Sequence, residues 1–248
     1  MIVGIIQARM GSTRLPGKVL KKINGVPLLK FQLDRVKAAK RLNKILIATT
    51  NKKEDDPVKQ FCNDHKINCY RGSEDDVLSR YYESALSVKA DVIVRLTADC
   101  PFVDPTLIDN VIDLYMKSEV DYASNTVPPE SSCWPDGSDI EVFSFKALKM
   151  AHNQSVDKDE REHVTFFFWK NKENKFKTIQ LGNEYDWSNY RFTVDYNEDF
   201  EAVKMINNEL IDLGSYGYTH EIISILESNP RIKEINNKYY FGIGWEKN

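Results

Sequence analysis

The chain has 248 residues, 42% of them hydrophobic and 29% charged, which excludes a disordered polypeptide and fits one α/β domain with an elaboration or two small domains. A formal net charge of −3 argues against a general electrostatic grip on nucleic acid or on an anionic membrane. The four cysteines, Cys62, Cys69, Cys100 and Cys133, form no C-x-x-C pair and no zinc-spaced cluster, so buried free thiols are expected.

Met1-Ile-Val-Gly-Ile-Ile runs straight into a strand over 2–7, with no basic n-region and no cleavage site. No apolar run approaches the roughly 20 residues that span a bilayer. The expectation is a cytoplasmic protein with no signal peptide and no membrane partner. A loop with Gly11, Pro16 and Gly17 follows the first strand, and Pro27 opens a helix to about Ala39. Strands are predicted over 44–49, 68–71, 91–96 and 120–124, and helices over 56–65, 73–87 and 104–116. Strands and helices thus alternate, which predicts a mainly parallel sheet covered by helices on both faces. Beyond 126 the pattern loosens: a proline-rich loop over 127–136, a strand over 140–143, helices over 145–151 and 159–169, strands over 176–181 and 190–194, and helices over 197–213 and 219–227. We read one domain over 1–248 with an inserted lobe at 126–190 for acceptor binding and dimerisation.

Ligands of open parallel sheets sit beyond the carboxyl ends of the strands. Two segments fall there: Gln7-Ala8-Arg9 after the first strand and Thr97-Ala98-Asp99 after the fourth. The first opens Gln7-Ala8-Arg9-Met10-Gly11-Ser12-Thr13-Arg14-Leu15-Pro16-Gly17-Lys18. Its glycines let the backbone turn and approach a ligand, and its amides and the hydroxyls of Ser12 and Thr13 can donate to phosphate oxygens. Arg9, Arg14 and Lys18 can neutralise a polyphosphate. A lone cation would read as solvated surface; three at a strand's carboxyl end point to phosphate. The segment is not a Walker loop, which needs G-x-x-x-x-G-K-[ST]. Asp99 is read either as a local turn residue or as a Mg²⁺ ligand. Asp195, at the end of an apolar run and just before a helix, reads by itself as a helix N-cap. Arg80 reads by itself as part of a solvated helix face, and His163 as a core or surface histidine. Asp139 and Glu141 alternate on the expected strand, so one face carries both.

The Gln7–Lys18 segment closely resembles the opening motif of the cytidylyltransferases that make CMP-activated acidic sugars: the CMP-sialate and CMP-KDO synthetases and, closest, the SpsF-like spore-coat polysaccharide proteins. Arg71-Gly72-Ser73-Glu74-Asp75-Asp76-Val77-Leu78-Ser79-Arg80 resembles the family's segment beside the base pocket. Arg95 to Pro105 resembles its strand-end aspartate motif, and Gly137 to Phe143 its substrate-side strand. Arg161 to Thr165 and Arg191 to Asp195 also have counterparts, so the likeness runs to about Phe200. It implies a three-layer α/β/α nucleotide-diphospho-sugar transferase fold (Rossmann-like). It also implies a CTP-dependent nucleotidyltransferase, an enzyme that transfers CMP to an acidic sugar or related glycan precursor and releases pyrophosphate. By the same resemblance, Arg9, Lys18 and Asp99 carry catalysis. Gln7, Ala8, Arg9, Gly11, Ser12, Thr13, Arg14, Lys18, Arg71, Ser73, Arg80 and Thr97 bind nucleotide, and Asp139, Glu141 and His163 meet the acceptor. Asp99 and Asp195 hold Mg²⁺, and the protein is a homodimer.

The sequence departs from its relatives at Met10-Gly11-Ser12, where CMP-sialate synthetases have two glycines. It departs again at Cys100-Pro101, where an acidic residue precedes proline in others. The resemblance therefore reaches the nucleotide half further than the acceptor half. Two rivals stand beside it. A glycosyltransferase on this fold would show Asp-x-Asp at a strand end, and Thr97-Ala98-Asp99 has one acid only. A non-catalytic nucleotide-binding subunit would have no need of Arg9, Lys18, Asp99 and Asp195 together. The run Phe166-Phe167-Phe168-Trp169 is read as core or as dimer interface, since four adjacent aromatics cannot share one helix face.

Overall fold

A computed structural model describes residues 1–245. Strand β1 (Ile2–Gln7) leads into the Gly11–Gly17 loop and then a small hairpin of β2 (Lys22–Ile23) and β3 (Val26–Pro27). Then α1 (Leu28–Ala38), β4 (Lys44–Thr50), α2 (Asp56–Asp64), β5 (Asn68–Gly72), α3 (Val77–Ser87), β6 (Val92–Thr97) and α4 (Pro105–Lys117) alternate. The second half contributes β7 (Tyr122–Ser124), β8 (Glu141–Ser144), α5 (Phe145–Gln154), α6 (Lys158–His163), α7 (Phe166–Trp169) and β9 (Thr178–Gln180). Helices α8 (Asn197–Asp212), α9 (Thr219–Ser228) and α10 (Pro230–Ile235) follow.

Seven strands form one sheet in the order β5-β4-β1-β6-β8-β7-β9. β5, β4, β1 and β6 run parallel; β8 is antiparallel to both of its neighbours, and β7 pairs with β9 in parallel. β1 lies between β4 and β6, with Ile5 opposite both Leu46 and Arg95. A strand in that position is covered on both faces, which is why its sequence is apolar without alternation. Ile6 packs with Leu29, Leu33, Val58 and Ile108 on the α1, α2 and α4 side. Val3 and Ile5 pack with Leu78, Tyr81, Phe143 and Leu148 on the α3 and α5 side. The fold is the expected three-layer α/β/α architecture with a mainly parallel sheet. A third cluster joins α8, α9 and α10 to Leu28 and Phe102. All four cysteines are free thiols. Among the described residues no helix is long and apolar enough to cross a membrane.

Within segment 126–190, β8 and β9 are strands of the main sheet. Two expectations change. The helix expected over 159–169 is two helices. Val164, at φ 56° in the left-handed region that β-branched residues rarely adopt, separates them. Residues 190–194 form no strand. They make one isolated bridge, between Asp136 and Arg191, and Val194 N donates to Asp99 O at 2.8 Å.

The aromatic run resolves mainly as core. Phe168 is fully buried and packs at ring-centroid distances of 5.6, 5.0 and 5.1 Å against Tyr122, Phe143 and Phe176. Replacing it with alanine should cost about 3–5 kcal/mol of unfolding free energy, as for other buried aromatics. Urea denaturation of Phe168→Ala checks this, and a loss under about 1 kcal/mol would contradict a core role.

Candidate active site

The carboxyl ends of β1 and β6 open into a cavity of about 650 Å³, a size ordinary for a small-molecule site. The loop after β1 forms one side. Gln7, Ala8, Arg9, Ser12, Thr13, Arg14 and Lys18 all line the cavity. The loop is shaped from within: Ser12 N and Gly17 N both donate to Met10 O at 2.9 Å, and Met10 N donates to Asp55 Oδ1 at 2.6 Å. Gly17 sits at φ 69°, a conformation that glycine adopts without strain, and it delivers Lys18 into the first 3-10 turn. Arg9 reaches Glu74 Oε1 at only 3.4 Å and keeps 41% of its side chain exposed, so most of its donors face open space. Arg14 contacts Asp195 Oδ1 at 3.0 Å and lies over the Tyr196 ring.

Lys18 is the centre of the site. It is 9% exposed, and its Nζ donates to Asp99 Oδ2 at 3.0 Å, Asp195 Oδ1 at 2.8 Å and Val194 O at 2.8 Å. The two aspartates, 96 residues apart in sequence, converge because Val194 N and Thr193 Oγ1 both donate to Asp99 O. Burial works to raise the Asp99 carboxyl, but the Lys18 ammonium and a hydrogen bond from Thr97 outweigh it and hold the group at about 2. Burial likewise works to depress the Lys18 ammonium, and the two carboxylates reverse this and raise it.

A second buried cation, Arg191, holds the Asp195 segment in place. Its Nε and Nη2 bind the two oxygens of Asp199 at 2.8 Å each, and Nη1 binds Asp136. Asp199 Oδ2 also accepts from the backbone N–H groups of Asp195 and Tyr196 at 2.9 and 3.0 Å. Asp199 thus caps α8 and fixes the turn that presents Asp195. The residues Asp195 and Asp199 therefore divide the roles left open for Asp195: the cap is Asp199, and the Asp195 side chain faces the cavity.

On the far side of the cavity, Asp139 accepts from Thr126 Oγ1 at 2.9 Å and from Gly137 N at 3.0 Å. The Cys100 thiol lies 3.6 Å from Asp99 Oδ1 and 3.5 Å from Asp139 Oδ2, bridging the two carboxylates. Burial raises the Cys100 thiol well above its ordinary range, so it stays protonated as a donor. Burial also pushes Asp136 and Asp139 upward, helped by the neighbouring Asp99 carboxylate. Glu141 is bound by Arg95 and by the Tyr122 hydroxyl, the latter at 2.5 Å. Asp139 precedes strand β8 and Glu141 begins it, and both line the cavity. His163 lines it too, stacked on Phe166 at 4.4 Å. Its burial lowers the imidazole pKa, which favours the neutral ring.

Thr97 and Arg80 also border the cavity, whereas Gly11, Arg71 and Ser73 do not. Arg71 is taken by local partners: Thr50 O at 2.7 Å, Lys52 O at 2.6 Å and Asp56 Oδ1 at 2.6 Å. Ser73 Oγ accepts from Asp76 N at 3.1 Å, at the entry to α3. Gly11 lies against the Glu54 and Glu74 carboxylates. Arg80 is buried at 2% exposure and bonds the carbonyls of Ser73 and Glu74, with Nε unpartnered. Asp136, Cys100 and Tyr196, together with Tyr240, Phe241, Ile243 and Trp245 of the tail, also line the cavity and carry no such signal in the sequence. Pro135-Asp136-Gly137 reads as a turn and the tail as packing, and only tertiary contact brings them here.

Two carboxylates meeting at one cationic point suit a divalent ion that completes its shell with phosphate oxygens and water. Among the described residues no group of three or more acidic, histidine or cysteine side chains forms a closed metal cage. The two carboxylates fit an ion whose shell is completed by phosphate oxygens and water.

A family model described as cytidylyltransferase matches residues 3–229. An uncharacterized protein of Methanocaldococcus jannaschii is 39% identical over 242 residues, covering 95% of this chain and 94% of that one. The spore coat polysaccharide biosynthesis protein SpsF of Bacillus subtilis is 33% identical over 236 residues, covering 92% and 95%. The solved structure of a cytidylyltransferase from Leptospira borgpetersenii serovar Hardjo-bovis superposes with a TM-score of 0.86 at 32% identity, over 93% of this chain and 95% of that one. Matched by the family model over residues 3–229 and by relatives over nine-tenths of its length, the chain belongs to the cytidylyltransferase family, enzymes that take CTP as nucleotidyl donor.

Proposed function

We propose that the protein transfers CMP from CTP to a hydroxyl of an acidic sugar or related precursor of a surface glycan, releasing pyrophosphate. The observation that carries this reading is the meeting of Arg9, Arg14 and Lys18 with Asp99 and Asp195 in one cavity at the carboxyl end of the sheet. An acceptor hydroxyl oxygen attacks the α-phosphorus and gives up its proton to solvent, and the bond from that phosphorus to the pyrophosphate oxygen breaks. The loop amides and Arg9 hold the triphosphate, and Lys18 and Arg9 stabilise charge on the departing pyrophosphate. Such catalysis rests on positioning and electrostatics.

Asp99 and Asp195 would hold Mg²⁺. When bound, the ion neutralises phosphate charge. The acceptor lies toward Asp139, Glu141 and His163. There a neutral imidazole can accept a hydrogen bond from a sugar hydroxyl, and Asp139, held by Thr126 and Gly137, is fixed in orientation. The enzyme works in the cytoplasm, as a homodimer.

Pyrophosphate release tests the reaction. Each of the four nucleoside triphosphates is supplied with Mg²⁺ and a panel of acidic sugars. Release is expected with CTP and a sugar of the panel. Lys18→Ala and Asp99→Asn should each lower the rate by on the order of 10²–10³, the usual loss for one charge-stabilising group. Release with CTP that is unchanged in both variants would remove these residues from the mechanism. No release, together with no thermal shift from any nucleotide, would remove the transferase reading itself. Light scattering at micromolar protein tests the assembly: about twice the chain mass of 28.7 kDa is expected, and a mass near 28.7 kDa contradicts the dimer.

A further inference from the structure

We propose that Lys18 is a resident counter-ion that closes the Asp99–Asp195 metal site until the triphosphate of CTP draws it away, so that nucleotide and divalent metal bind synergistically. The inference rests on the metal role proposed above for the two aspartates.

An ammonium group has three N–H donors and no more. In Lys18 all three are engaged, by Asp99 Oδ2 at 3.0 Å, Asp195 Oδ1 at 2.8 Å and Val194 O at 2.8 Å. None is left for a phosphate oxygen. Lys18 therefore cannot stabilise pyrophosphate from this position, and a divalent ion cannot take Asp99 Oδ2 and Asp195 Oδ1 while the ammonium holds both. The same atom must leave the carboxylates to serve the nucleotide; its departure frees Asp99 Oδ2, and at Asp195 Oδ1 the Arg14 guanidinium, 3.0 Å away, must turn to the phosphates with it. The surroundings favour closure when no ligand is present. The side chains are little exposed, at 11% for Lys18, 26% for Asp99 and 16% for Asp195, and two carboxylates so placed need a cation beside them.

The route for the exchange is also in place. Arg9, nine residues upstream on the same loop, keeps 41% of its side chain exposed and can meet the triphosphate first. Gly17, in the left-handed region immediately before Lys18, allows the backbone there to turn without side-chain strain. A ligand that engages only the open arrangement shifts the equilibrium by its differential affinity, and the effect is reciprocal: CTP tightens metal binding by the factor by which metal tightens CTP.

The test is a titration of Mn²⁺ alone, read by electron paramagnetic resonance of the free ion, without nucleotide. Lys18→Met and Lys18→Gln remove the resident charge while keeping much of the volume, and thermal melting identifies which of them folds. Either folded variant should bind Mn²⁺ more tightly than the wild type by on the order of tenfold or more, because a positive charge in contact with the site has gone. Adding Asp99→Asn to the variant should abolish the gain. Equal Mn²⁺ affinity in the wild type and the folded Lys18 variants overturns the proposal. The underlying metal reading is judged separately, on wild type with CTP present. If Asp99→Asn and Asp195→Asn lose enzyme-bound Mn²⁺ there while the Lys18 variants show no gain, the metal site stands and the counter-ion role falls. If they keep it, both fall.

Discussion

A carboxylate withdrawn from water must have a cation or several donors beside it, and the ligand end of this sheet brings together five of them: Asp99, Asp136, Asp139, Glu141 and Asp195. Four cations answer them, with Arg14 on Asp195 as the most exposed. Lys18 joins Asp99 to Asp195, Arg191 joins Asp136 to Asp199, and Arg95 neutralises Glu141. Asp139 has no cation and relies on the Thr126 hydroxyl, the Gly137 amide and the Cys100 thiol. The arrangement makes the site rigid where Arg191 acts, since both guanidinium edges are bound to carboxylates. It leaves the site exchangeable where Lys18 acts, since one flexible ammonium serves two acids and a carbonyl. Fixed geometry and replaceable charge are thereby assigned to different residues of one network.

The loop after β1 could be placed at the cavity from the sequence because its parts are contiguous. Glycine, hydroxyl and cation positions from Gln7 to Lys18 lie on one loop, and an uninterrupted apolar run before them marks a strand covered on both faces. The βαβ rhythm then fixes which end of the sheet that loop occupies. The same reasoning misplaces Arg71. Its residue type suits a phosphate, but the carbonyls of Thr50 and Lys52 lie within reach and hold it on β5, away from the cavity. Local backbone acceptors are invisible to a motif, and they decide where a guanidinium points.

The second half was less legible for a related reason. Residues 190–194 have the apolar alternation of a strand, yet their hydrogen bonds go to single residues of separate segments, Asp136 and Asp99, and not to one neighbour strand. Period shows that a segment is extended; it does not show which partners it meets. Asp199 escaped attention because an acid near a helix start reads as an ordinary cap. It is a cap, but one whose oxygens also hold Arg191 and the backbone of Asp195. Its importance lies in the identity of the amides it caps, which only the fold supplies.

One wall of the cavity combines His163, Phe166 and Trp169 with Phe241 and Trp245 from the far end of the described chain. Trp245 stands edge-on to Phe166 and to Phe241, at 5.3 Å in each case, and tilted against Trp169 at 5.7 Å. Edge-to-face aromatic contacts of this kind favour a defined orientation over a loose collapse, so the tail is a shaped surface. Most carboxylates opposite it already have internal donors. Net charge at this wall is therefore a weak means of choosing a ligand, and discrimination falls to the outline of the aromatic faces and to the hydrogen bonds that remain open.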